Sequence, residues 1–170
     1  LGLQRWVMPV ELSRDALAAI QAARPQGVET ELFAYGRLPL ALSARCFTAR
    51  AHKLPKDDCQ YRCLDYPDGM LLSTQDGERF LALNGIQTQS AQTYTLLEEL
   101  QDICALGVDV LRINPQSRHT TAVIRTFAEV LHAGRDPHEA TQELCSHMPT
   151  GPCDGYWSGH AGLSWHQGAH

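Results

Sequence analysis

Three cysteines in one short polar segment are the residues best suited to chemistry in this sequence. Cys46 is followed after twelve residues by Cys59, and after three more by Cys63. Thiolates are soft ligands that suit zinc, copper(I) and iron–sulfur clusters. Two cysteines four positions apart can face one metal centre from a single turn, and a third can join them from the adjoining loop. The spacing predicts a metal site that needs a fourth ligand, for either tetrahedral zinc or a four-iron cluster.

Other interpretations of this cysteine segment stay open on the residues alone. The three could be ordinary thiols, because Cys is often a core residue, although the charged residues around them are not typical of a core. His52 lies inside the segment and could complete a Cys3His zinc set with them. Elsewhere in the chain Cys153 is the credible fourth donor, since Cys104 and Cys145 fall in helices predicted to be apolar.

Composition limits the classes of function. The 170 residues include 14 Lys and Arg against 19 Asp and Glu, for a net charge of −5, and 44% are hydrophobic. A chain of this size can form one domain with a real core. Its acidic balance gives no basic footprint for nucleic acid, and no apolar run approaches the ~20 residues of a transmembrane segment. No signal peptide is visible, so we expect a cytoplasmic protein.

Strand and helix patterns alternate along the chain. One β-hairpin is predicted, with Asp76-Gly77 at its turn. Residues Phe80 to Leu83 in its second arm could double as another buried strand. The predicted elements, in chain order, are a strand at 4–10, a helix capped by Ser13, a strand at 28–36, a cysteine-bearing insertion at about 43–63, a hairpin at about 69–84, a helix at 94–106, a strand at 108–114, helices at 117–132 and 136–148, and an irregular tail at 151–170.

This alternation predicts an α/β protein with mainly parallel, buried strands. About four strands are expected, whereas a closed eight-stranded α/β barrel needs roughly 250 residues. No GxGxxG or GxxxxGK[ST] pattern occurs, so a nucleotide-binding sheet has no support. A half-barrel is therefore compatible with the pattern without being required by it.

Five sequence blocks together carry a family resemblance. In chain order they read VMPVELSRDAL, YGRLPLALSARCFTAR, PKDDC with QYRC, LALNGIQT and CDGYW. They resemble the collagenase-like peptidase family, and within it the iron–sulfur branch that acts in ubiquinone biosynthesis. The resemblance implies that residues 1–150 are the C-terminal half of an α/β (TIM-like) barrel. It also implies a 4Fe-4S cluster, a heterodimer with a UbiU-like protein, a UbiT-like lipid carrier and oxygen-independent ring hydroxylation.

The family's cluster ligands can be carried over to three positions only. Cys46, Cys59 and Cys63 match ligands of that branch, whereas its fourth ligand lies near the first barrel strand. No cysteine precedes Cys46, so we expect the fourth ligand upstream of this chain, which would then be a C-terminal portion. Relatives often carry His and Cys where this sequence reads AYGRLPLA, so we expect a hydroxylase subunit and not a peptidase. The alternatives are a peptidase with structural zinc and a non-catalytic subunit that stabilises its partner.

Further charged residues are weaker candidates, and no catalytic residue can be named. His119 follows a predicted strand end, where α/β enzymes place their chemistry. Arg112 and Arg118 lie near it in sequence and could bind a carboxylate substrate. Arg45 and Arg50 flank Cys46 and could offset the negative charge of a thiolate-bound cluster.

Overall fold

The structure, a computed structural model, describes residues 2–166 of the chain. Two short 3₁₀ turns, Lys56–Asp58 and Arg62–Asp65, lie in the cysteine-bearing insertion. The strands are β1 (Arg5–Val7), β2 (Glu29–Gly36), β3 (Pro39–Leu42), β4 (Met70–Ser73), β5 (Arg79–Asn84), β6 (Gln87–Ser90), β7 (Thr93–Thr95), β8 (Val110–Ile113) and β9 (Pro152–Cys153). The helices are α1 (Arg14–Ala23), α2 (Phe47–Ala51), α3 (Leu100–Ala105), α4 (Thr120–His132) and α5 (Pro137–Cys145).

The larger sheet is built around β2, which is buried along nearly its whole length. Strands β1 and β8 pair with β2 in parallel, as the predicted α/β alternation requires. Strand β7 pairs with the end of β2 in the antiparallel sense, and β9 runs parallel to β7. The fold is therefore mixed α/β, and its described strands form two open sheets and no closed barrel.

The second sheet is antiparallel, with its strands in the order β3, β6, β5 and β4. The predicted hairpin is confirmed, because β4 pairs with β5 and Gly77 has a φ of +86° at the turn between them. The prediction that its second arm doubles as a buried strand is wrong, because this arm stays in the antiparallel sheet and Phe80 is 47% exposed. Strands β3 and β6 carry no clear sequence signal. They pair with each other, and β6 also pairs with β5 directly after a turn at Gly85 and Ile86.

The helix predicted over 94–106 is wrong in its first part. Thr93–Thr95 forms β7, and the helix begins only at Leu100. Leu96 and Leu97 are fully buried in the loop between them. Their spacing resembles that of a helix because both reach the core, and core contact by itself does not distinguish a helix from a folded loop.

The hydrophobic core lies between the larger sheet and the helices. Helix α1 is capped by Ser13, whose Oγ accepts a hydrogen bond from the Ala16 N–H at 3.3 Å, and the helix buries Leu17 completely. Helix α4 contributes Val123 and Phe127 to the same core and packs against α3 and α5. Among the described residues, none of the helices has both the length and the apolar character that crossing a bilayer would require.

The segment after Gly151, predicted to be irregular, is packed onto this core in its described part. Cys153, in β9, and Trp157 are buried, and the Trp157 carbonyl accepts a hydrogen bond from the Arg14 N–H at 3.0 Å. Few of its residues are in regular elements, so tertiary contacts determine its path. Residues 167–170 of the predicted tail lie outside the described residues.

Candidate thiol site

Cys46 lies at the start of α2, where both its main chain and its side chain begin the helix. Its carbonyl accepts a hydrogen bond from the Arg50 N–H at 3.1 Å, and its Sγ accepts one from the Ala49 N–H at 3.4 Å. A thiol here takes the place of the hydroxyl or carboxylate that usually caps a helix. The thiol is partly exposed at the edge of the insertion.

Cys59 and Cys63 are held by consecutive tight turns. Cys59 follows the first 3₁₀ turn, and its carbonyl accepts a hydrogen bond from the Arg62 N–H at 3.3 Å. Cys63 lies within the second turn. Between them Gln60 and Tyr61 both have a φ of 52°, an uncommon conformation for residues other than glycine. These two left-handed residues redirect the chain between the cysteines, and both thiols remain partly exposed.

Local contacts make the insertion one folded unit. Lys56 Nζ donates to the Ala44 carbonyl at 3.0 Å and so ties the first 3₁₀ turn to the chain before Cys46. Helix α2 packs against the second 3₁₀ turn. The His52 ring lies beside Tyr66, with 3.1 Å between Nε2 and the phenol oxygen and 5.7 Å between ring centroids. Nothing in the sequence indicated Tyr66, because the contact depends on how the turns fold.

A basic surface cavity lies beside Cys46. It has a volume of about 440 Å³. Four of its seven lining residues are cationic, and none is acidic: they are Arg45, Arg50, Lys53 and Lys56. The structure therefore brings the two predicted arginines together with two lysines. Such a positive potential favours binding of a negatively charged group at this cavity.

The three cysteines do not converge. In the part of the chain that the structure describes, no group of three or more His, Cys, Asp or Glu side chains is placed to hold a metal ion. The donor types suit a soft metal, but their positions do not form a ligand set here. His52 is engaged with Tyr66. Cys153 lies in the core, where burial raises the pKa of its thiol to about 12.

The structure also separates the other predicted candidates. Arg112 Nε donates to Glu31 Oε1 at 2.5 Å, so its charge is already paired. His119 precedes α4 with a φ of 63°, and its ring stacks on His147 at 4.7 Å between centroids. Arg118 is exposed, and its carbonyl accepts a hydrogen bond from a glutamine side chain. Arg112 and Arg118 therefore do not form a shared carboxylate site in the described structure, because Arg112 is paired with Glu31.

Comparison with known families gives a match along almost the whole chain. The model of peptidase family U32 matches residues 1–167. The chain belongs to peptidase family U32. No solved structure matches this U32 protein. The family assignment agrees with the resemblance carried by the five sequence blocks.

Proposed function

We propose that this U32 protein is an iron–sulfur protein most like UbiV, which supports oxygen-independent ring hydroxylation in ubiquinone biosynthesis. It would act in the cytoplasm as a heterodimer with a UbiU-like protein and with a UbiT-like lipid carrier. We further propose that the larger sheet is part of the C-terminal half of a TIM-like barrel, consistent with the parallel set of β1, β2 and β8. This proposal combines the sequence resemblance with the chemistry of the cysteine-bearing insertion.

The observation that carries the proposal is the set of three partly exposed thiols on a single insertion. None of Cys46, Cys59 and Cys63 belongs to the hydrophobic core, so the packing of the domain does not account for them. Clusters with four irons are held by four thiolates. The fourth is proposed to come from upstream of Leu1, and cluster binding would then draw the three thiols of the insertion together.

The basic cavity beside Cys46 supports a negatively charged group at this place. Arg45 and Arg50 flank the thiol, and both line the cavity. Cationic side chains and hydrogen bonds around a thiolate-bound centre influence its reduction potential. When bound, the cluster would supply electron transfer. The residues of the insertion would hold it and compensate its charge.

The test is metal and sulfide analysis of the full-length protein, prepared without oxygen and together with its UbiU-like partner. We expect about four irons and a similar amount of acid-labile sulfide per chain. Cys46→Ser, Cys59→Ser and Cys63→Ser should each remove most of the iron. Cys104→Ser is the matched control, because Cys104 is an exposed thiol on α3, away from the insertion.

Other results would overturn the proposal in distinct ways. One zinc per chain and no sulfide, with the zinc lost in His52→Ala, would identify a structural zinc site and favour a peptidase. Gelatin cleavage that a chelator abolishes would also favour a peptidase. Full hydroxylation by a variant that lacks iron yet still binds its partner would identify a non-catalytic subunit. Equal iron in all four variants would exclude these cysteines as ligands.

A further inference from the structure

A second cavity lies where the two sheets meet, separate from the cysteine-bearing insertion. Its volume is about 470 Å³, within the usual range for small-molecule sites. Gly36 at the end of β2 and Asn114 just after β8 both line it. In α/β proteins, ligands commonly bind beyond the carboxyl ends of parallel strands. The position of this cavity is therefore that of a ligand site.

Arg37 lines this cavity and has an unused hydrogen-bonding edge. Its Nη1 donates to the Asp68 carbonyl. Its Nε is buried without a hydrogen-bond partner, and its Nη2 has none within the described residues. The Nε and Nη2 hydrogens lie on the same edge of the planar guanidinium, the edge that holds a carboxylate through two parallel hydrogen bonds. Leaving a buried charged donor unpaired is costly, which favours an acceptor supplied by a ligand.

The charge of Arg37 is not cancelled by an ion pair in the described structure. Asp68 is the acidic residue in the lining, but its carboxylate accepts hydrogen bonds from Ser117, from N–H at 3.2 Å and from Oγ at 2.7 Å. Burial lowers the pKa of Arg37, Asp68 raises it and Arg79 lowers it. A guanidinium nonetheless stays protonated in proteins. The cavity is thus lined by one cation that forms no ion pair within the described residues.

Carboxamides supply further hydrogen-bonding groups around that cation. Asn84 and Asn114 both line the cavity, and neither side chain has a hydrogen-bond partner within the described residues. Gln116 is different, because it accepts from the Tyr35 hydroxyl and donates to two main-chain carbonyls, which fixes the wall. Free carboxamides both donate and accept, so they suit hydroxyl or amide substituents.

We propose that this cavity binds a small carboxylate carrying hydroxyl or amide groups, with Arg37 holding the carboxylate and Asn84 and Asn114 holding the polar substituents. A single guanidinium edge matches one carboxylate. A phosphate dianion would meet the Asp68 carboxylate without a second cation in the lining. The proposal does not depend on the cysteines or on a cluster.

Titration calorimetry on the full-length protein tests this site. The probes are lactate, gluconate, quinate and N-acetylglycinate, each compared with its neutral amide, and inorganic phosphate. We expect at least one carboxylate to bind with a Kd below about 10 mM, and its amide to bind at least roughly tenfold more weakly. Arg37→Gln should weaken binding roughly tenfold to hundredfold, the range expected for losing charge-assisted hydrogen bonds.

Three further variants make the result specific. Arg37→Lys keeps the charge without the two-pronged edge and should bind more weakly than wild type but more tightly than Arg37→Gln. Asn114→Ala should weaken gluconate binding more than lactate binding. Arg79→Gln is the control, because Arg79 lies near Arg37 without lining the cavity, and it should change Kd by less than about threefold.

The proposal is overturned if no carboxylate binds with a Kd below about 10 mM, or if the neutral amides bind as tightly as the carboxylates. It is also overturned if phosphate binds more tightly than every carboxylate, or if Arg37→Gln binds the carboxylate as tightly as wild type does. Circular dichroism of each variant confirms that it is folded. Iron content measured on the same Arg37→Gln sample should equal that of wild type, so that failure of this site is distinguished from failure of the cluster proposal.

Discussion

Gly36 and Asn114 approach each other so closely that only glycine fits at the end of β2. A Cβ placed on Gly36 would lie 2.7 Å from the Asn114 Cβ, and Gly36 has a φ of +123°. The approach is fixed by pairing between the strands, since the Asn114 N–H donates to the Tyr35 carbonyl at 2.8 Å. This contact forms one wall of the cavity that contains Arg37.

Gly36→Ala should therefore destabilise the protein. We expect the free energy of unfolding to fall by about 2 kcal/mol or more, because backbone strain and a steric clash act together. Urea denaturation measures the change. Gly77→Ala is the control, because Gly77 also has a positive φ but a Cβ added there would meet no atom within 4 Å. It should lose only about 1 kcal/mol.

The clash itself can be separated from the backbone strain. Asn114→Gly removes the Cβ that the new alanine methyl group would meet, so combining it with Gly36→Ala should recover part of the lost stability. Strictly additive losses in the double variant would show that the contact with Asn114 contributes nothing.

Tyr35→Phe tests the polar wall of the same cavity. The Tyr35 hydroxyl donates to Gln116 Oε1 at 2.7 Å, and Gln116 also donates to the carbonyls of Arg118 and His147 at 2.7 Å each. Removing the hydroxyl leaves a partly buried acceptor unpaired, and we expect a loss of about 1–3 kcal/mol in the free energy of unfolding.

Tyr94→Phe is the matched control for that substitution. Tyr94 is a core residue, like Tyr35, but its hydroxyl makes no hydrogen bond within the described residues. Thermal denaturation of both variants should show a clear decrease in Tm for Tyr35→Phe and almost none for Tyr94→Phe. Equal decreases would mean that the hydrogen bond to Gln116 does not stabilise the fold.

Cys153 should resist alkylation in the folded protein. Burial, and to a lesser degree Asp154, raises the pKa of its thiol to about 12, so very little reactive thiolate exists at pH 8. In the metal-free protein, iodoacetamide followed by peptide mass spectrometry should label Cys46, Cys59 and Cys63 well before Cys153. Labelling of all cysteines in urea is the control, and equal rates without urea would contradict the burial of Cys153.

Asp109 should make the free energy of unfolding depend on pH. The Thr30 N–H donates to its carboxylate at 2.8 Å and Arg24 also donates to it, and these contacts lower the pKa of Asp109. A carboxyl group whose pKa is lower in the folded state stabilises the fold above its unfolded pKa. That contribution is lost as the pH falls through the folded pKa.

Asp109→Asn should therefore be less stable than wild type near neutral pH, and the difference should shrink as the pH falls below about 4. Urea denaturation across this range measures it. Asp76→Asn in the exposed hairpin turn is the control, because it removes the same charge without removing a hydrogen bond. A difference that is constant with pH would contradict the role of the carboxylate.

Local sequence signals determined the elements that depend on near neighbours. Ser13 marked the start of α1, Asp76-Gly77 the hairpin turn, and Asp136-Pro137 the start of α5, where the Asp136 side chain accepts a hydrogen bond from the Glu139 N–H at 2.9 Å. Capping and turn formation act within a few residues, so composition and spacing are sufficient to locate them. The grouping of Cys46, Cys59 and Cys63 in one short segment is likewise visible in the sequence, whereas the metal site inferred from it stays a prediction.

Tertiary structure alone decided the features that depend on distant partners. Thr93–Thr95 overlaps the start of the helix predicted over 94–106 but forms a strand, because β2 and β9 supply its hydrogen bonds. The polar residues of β6 likewise form a strand through pairing with β3 and β5. Arg37, Asp68 and Ser117 meet only in the folded chain, where Arg37 donates to the Asp68 carbonyl and Ser117 donates to the Asp68 carboxylate. Backbone pairing and side-chain burial are settled between segments far apart in sequence, so no local pattern could have placed them.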